Sequence, residues 1–120
     1  MGGTTTMQRE VGVASGGAEL AGILTLPVPV VGLVLFAHGS GSSRLSHRNH
    51  DVARELVEAG LGTLLFDLLT AAEERIDRLD RSLRFDIALL GRRLIGAIDW
   101  VGHQPELSGL PLGLFGASTG

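Results

Sequence analysis

Cysteine is absent from this chain, which excludes disulfides, thiolate chemistry and cysteine-ligated metals. The lack of thiols fits a reducing cytoplasm, the expected location. A basic excess is absent too: 10 Lys and Arg face 13 Asp and Glu, a net charge of -3. Bulk charge therefore draws neither nucleic acid nor an anionic membrane, and neither is expected as a partner. Long apolar runs are also missing. The longest, residues 28–37, is too short to span a bilayer and contains Pro29 and Gly32. The first six residues have neither a basic start nor an apolar stretch, so no secretory signal is read there.

Apolar material is nonetheless plentiful. Hydrophobic residues make up 44% of the 120 residues, which predicts one small domain with a buried core and not a disordered chain. Residues 9–14 and 20–26 read as strands, and Gly16-Gly17 between them suits a tight antiparallel turn. Pro27 and Pro29 are expected to end the second strand. Residues 30–37 form a continuous Val- and Leu-rich run, the pattern of a strand buried on both faces.

A Gly- and Ser-rich loop follows, and then a helix over about 49–59. Ser46 or Asn49 can cap its start, and Gly60 suits its end. Residues 61–66 are a second buried strand, closed by Asp67. Residues 71–84 carry the acid-first pairs Glu74/Arg78, Asp77/Arg81 and Asp80/Arg84, each at the spacing of a solvated helix face. A long helix over about 83–101 and a third buried strand over 112–115 complete the order. Alternation of this kind predicts an α/β fold: an antiparallel hairpin, then parallel strands with helices on both faces.

The motif that carries chemistry is Gly116-x-Ser118-x-Gly120, directly after a buried strand. The pattern alone is weak in a chain with 18 glycines, but its position strengthens it. A nucleophile elbow is a sharp, strained strand-to-helix turn that lifts a serine hydroxyl above the sheet. Small residues are needed around that serine, and Gly116, Ala117 and Gly120 supply them. Acyl transfer also needs N–H groups aimed at the developing oxyanion. The loop Ala37-His38-Gly39-Ser40-Gly41-Ser42, after the first buried parallel strand, has the right character and position.

With these two motifs in this order, the chain resembles the dienelactone hydrolase family of the α/β-hydrolases over nearly its whole length. The stretches that carry the resemblance are residues 33–42, Leu64-Leu65-Phe66-Asp67, Arg84-Phe85-Asp86, Asp99-Trp100 and the elbow. The resemblance implies Ser118 as nucleophile, with the Ser40 and Thr119 N–H groups as the oxyanion hole. His38, Gly39, Gly116 and Gly120 support them. It implies hydrolysis of an ester, lactone or related acyl bond in a small-molecule substrate through an acyl-enzyme, without a cofactor. Relatives of this type also occur attached to phosphoribosyltransferase domains, and such chains can carry that name. On this reading residues 1–8 are a disordered leader and 9–120 a partial α/β-hydrolase domain.

The family orders its triad serine, acid, histidine, and all four histidines here precede Ser118. The triad acid and base are therefore expected outside this chain, which is read as an N-terminal fragment inactive by itself. Ser118 without a base is an ordinary alcohol. The strand 112–115 is then expected to form an exposed apolar edge.

Other candidates have simpler readings. His38 is expected to hold its loop in shape by hydrogen bonding. Asp67 is read as a turn cap and Trp100 as a helix-to-core anchor. His47 and His50 have helical ligand spacing but no third ligand, so no metal is expected. Two alternatives to a hydrolase are a phosphate- or nucleotide-binding module built on residues 39–44, and a non-catalytic protein of the same fold. The first lacks the P-loop lysine and the G-x-G-x-x-G spacing.

Overall fold

The computed structural model describes residues 5–38, 47–80 and 87–117. The elements in chain order are β1 (Thr5–Ser15), β2 (Ala18–Val28), β3 (Gly32–His38), α1 (His47–Glu58), β4 (Leu61–Asp67), α2 (Ala71–Asp80), α3 (Ile87–Gly102) and β5 (Leu112–Ala117). The described strands form one mixed sheet, ordered β1-β2-β4-β3-β5. β1 pairs with β2, and β2 with β4, antiparallel. β3 lies between β4 and β5 and is parallel to both.

The hairpin turns where the glycine pair predicts. Gly16 and Gly17 have φ of 54° and 86°, and Ser15 faces Ala18 across the closing pair. Both residues lie in the left-handed region that a two-residue hairpin turn requires. Gly60, at φ 95°, closes α1, with its N–H on the Val57 carbonyl at 3.0 Å.

Three boundaries differ from expectation. β1 begins inside the expected leader, because residues 5–8 pair with residues 25–28 of β2. Pro27 does not end β2, which runs to Val28 and stops just before Pro29, the second of the two prolines expected to end it. β4 contacts β2 only over Gly22–Thr25, so beyond Thr25 a proline's missing N–H can face an unpaired side. Asn49 lies inside α1 and so is not its cap, while Ser46 lies outside the described residues.

Strand alternation explains the continuous apolar runs. Leu33 and Leu35 of β3, with Leu64 and Phe66 of β4, join one buried cluster against Ala97 and Val101 of α3. Phe36 and Leu65 face the other way and pack on Ala53 of α1. Helices therefore cover both faces of the sheet, as predicted. Trp100 is a partly buried member of the first cluster, the anchor expected of it.

α3 sits close to the hairpin through Gly96. A Cβ there would lie 2.9 Å from the Ser15 Cα. The Ser15 hydroxyl donates to the Arg93 carbonyl at 3.0 Å. At the other end of the sheet β5 pairs with β3 alone among the described strands. Leu112 and Leu114 are exposed, and Phe115 stacks on Phe36 with ring centroids 4.8 Å apart. Among the described residues no helix is long and apolar enough to cross a membrane.

Candidate active site

The carboxyl ends of three parallel strands meet around His38. It faces Asp67 of β4 on one side and Ala117 of β5 on the other. Sites in open α/β sheets gather outside such ends. Ser118, Thr119 and Gly120 follow β5, and Gly39 and Ser40 follow β3. All five lie outside the described residues. Gly116 is in β5, one residue before its end.

His38 is 1% exposed, and its Nδ1 lies 3.1 Å from the Phe66 carbonyl oxygen. A carbonyl can only accept, so Nδ1 carries a proton and donates it. The Leu68 N–H donates to the His38 carbonyl at 2.9 Å. Ring and backbone of His38 therefore both tie the end of β3 to β4.

The turn after β4 has its own fastening, which the sequence reading missed. Thr70 and Glu73 form a capping box at the start of α2. The Glu73 N–H donates to Thr70 Oγ1 at 3.2 Å, and the Thr70 N–H to Glu73 Oε1 at 2.9 Å. The T-x-x-E spacing was the available signal. Arg93 of α3 then grips Glu73 with both nitrogens, Nη1 to Oε1 at 2.8 Å and Nη2 to Oε2 at 2.7 Å. Its Nη1 also donates to the Leu68 carbonyl at 3.0 Å. The Arg93 hydrogen bonds lower the Glu73 carboxyl from 4.5 to about 2, against partial burial, and the Thr70 N–H adds to the effect. Glu73 in turn raises Arg93 further.

The charged stretch is less uniformly solvated than its pairs predict. Asp77 is fully buried, while Leu79 is 88% exposed. The Arg78, Arg81 and Arg84 side chains lie outside the described residues. Among the described residues no group of three His, Cys, Asp or Glu side chains could hold a metal ion. A groove of about 390 Å³ lies away from the strand ends, between the hairpin and α1, lined by Gln8, Thr25, His50 and Arg54 among others. It contains none of the predicted site residues.

No family model matches the chain. Two proteins from Mycobacterium tuberculosis strains, each named "Putative phosphoribosyl transferase", are 54% identical to it over 111 residues. That match covers 92% of this chain and 24% of theirs. A solved dienelactone hydrolase from Anabaena variabilis is 55% identical with a TM-score of 0.91, covering 96% of this chain and 53% of that one. A dienelactone hydrolase-like promiscuous phosphotriesterase from metagenomic libraries is 21% identical with a TM-score of 0.68, a likeness of fold alone. It covers 96% of this chain and 50% of that one. The chain thus spans about half the length of these solved structures and about a quarter of the curated relatives. Strand order, helix placement and these likenesses agree that the chain has the N-terminal part of a dienelactone hydrolase-like α/β-hydrolase fold.

Proposed function

We propose that the longer protein to which this chain corresponds is a serine hydrolase acting on an ester, lactone or related acyl bond. The observation that carries the reading is the β3–β5 ladder, in which His38 and Ala117 are partners. The glycine-rich segment after His38 and the Ser118-Thr119-Gly120 segment follow in sequence from neighbouring parallel strands, which lie about 4.8 Å apart. A nucleophile and an oxyanion hole must flank one acyl carbon, and adjoining strand ends suit that need. The 55% identity to a dienelactone hydrolase supports the same chemistry.

In this mechanism the Ser118 hydroxyl oxygen attacks the acyl carbon. Its proton passes to a histidine that follows it in the longer chain, and then to the leaving oxygen. The Ser40 and Thr119 N–H groups donate to the oxyanion. Water then cleaves the acyl-enzyme and restores Ser118. The 120 residues alone lack the base and are inactive on this reading. The absence of cysteine supports a cytoplasmic setting.

A fluorophosphonate probe tests the assignment. The longer protein should be labelled, and Ser118→Ala should abolish labelling. Undiminished labelling of that variant would remove Ser118 as nucleophile. Ser118-dependent ester turnover by the isolated chain would overturn its inactivity. One observation favours a second reading: the name of the Mycobacterium tuberculosis relatives points to phosphoribosyl chemistry. Residues 39–44 would then bind phosphate, and inorganic phosphate should shift the His38 ring resonances. Those relatives are some four times longer than the match, so other parts of them can account for the name.

A further inference from the structure

We propose that Arg93 is a positioning residue for this site, fixing the end of β3 and the His38 ring through the turn after β4. The inference rests on the hydrolase reading above. The Arg93 side chain is 11% exposed, so its charge is largely withdrawn from water and needs partners on every side. It finds them in both Glu73 oxygens and the Leu68 carbonyl. Leu68 is thereby held from two directions: its carbonyl accepts from Arg93, and its N–H donates to the His38 carbonyl. The His38 ring donates to Phe66, two residues before Leu68. One unbroken series of hydrogen bonds thus runs from α3 to the last residue before Gly39 and Ser40.

The series starts from a fixed point. The Arg93 carbonyl accepts from Ser15, which holds this part of α3 against the hairpin. Leu68 and Leu69 are both buried, so the turn's backbone groups must be satisfied internally. A planar guanidinium serves a carboxylate in a fork and a carbonyl together. A lysine ammonium keeps the charge but loses the fork. The role matters because a misplacement of about 1 Å at an oxyanion donor can cost a rate factor of about 100.

The test uses Arg93→Gln and Arg93→Lys in the longer protein and in the 120-residue chain. In the longer protein, Arg93→Gln should lower kcat about tenfold or more and change KM less than about threefold. Arg93→Lys should recover part of kcat. In the chain, ring ¹⁵N shifts should report a protonated Nδ1 on His38, and Arg93→Gln should erode that signature. Leu68 amide exchange should accelerate about tenfold, while Leu20 and Leu24 amides keep their wild-type rates. Glu73→Gln, which leaves the Leu68 carbonyl with its donor, should give a weaker version of each change and replaces Arg93→Gln if that variant does not fold. An unchanged His38 tautomer and Leu68 exchange rate overturn the proposal, as does acceleration spread evenly over the core. The spectroscopic arm does not depend on Ser118. Loss of the nucleophile assignment with these shifts intact removes the hydrolase reading alone.

Discussion

Replacing Glu73 with Gln should cost the chain stability at neutral pH and should do so in a pH-dependent way. Arg93 and Thr70 hold the Glu73 carboxyl at about 2 in the folded protein, against 4.5 for a free side chain. A drop of that size corresponds to about 3 kcal/mol. A quarter of the Glu73 side chain is exposed, so screening by water brings the expected value nearer 2 kcal/mol. The folded value is the lower one, so the contribution is fully present above pH 4.5. It is lost progressively as pH falls toward 2. Glutamine keeps the shape and one acceptor but carries no charge. Urea unfolding of wild type and Glu73→Gln at pH 7, 5, 4 and 3 measures the difference. It should be about 2 kcal/mol at pH 7 and 5, then narrow steadily through pH 4 and 3. A gap of the same size at every pH would refute the ionic origin. Equal stabilities at pH 7 would refute any contribution from the pair.

Gly96→Ala should destabilise despite the better helix former. The added Cβ meets Ser15 backbone, an overpacking cost of about 1–3 kcal/mol against a helix gain of about 1. A melting curve read by circular dichroism should show a net loss of about 1 kcal/mol. Leu24→Ala, at a fully buried site, should lose about 2–5 kcal/mol in urea unfolding, and unchanged stability would contradict the core described. In the 120-residue chain by itself, Leu114→Lys on β5 should lower any self-association seen in sedimentation velocity and leave stability within about 0.5 kcal/mol.

The parts of the fold that sequence revealed are those where local pattern and tertiary role coincide. β3 and β4 have apolar residues on both faces because helices cover both faces. Unbroken Val and Leu runs are therefore true to their final surroundings. Gly16-Gly17 specifies its own turn, whatever surrounds it. Pro27 misled because its tolerance depends on how far β4 extends along β2, which no local pattern encodes. Residues 5–8 looked like leader because their strand character comes from pairing with β2.

At the site, the apolar run that precedes His38 was enough to place it at the end of a buried strand. Its partner Phe66 is fixed only by the β3–β4 register. The Glu73–Arg93 pair joins two helices and escaped a search limited to neighbours on one helix face. Asp77 shows the converse, since an acid-first spacing suggested solvent and the fold buries it.

The β3–β5 ladder also bears on how the site comes into being. It joins Leu33 to Leu112 and His38 to Ala117, among the most distant pairings in the sequence. The β1–β2 hairpin closes over a two-residue turn. Chain entropy makes the hairpin quick to form and the β3–β5 pairing slow. On ribosomal synthesis, β1 to β4 can assemble before β5 has emerged. The two strand ends that flank the proposed chemistry therefore come together only after β4 and the helices between it and β5 have been made.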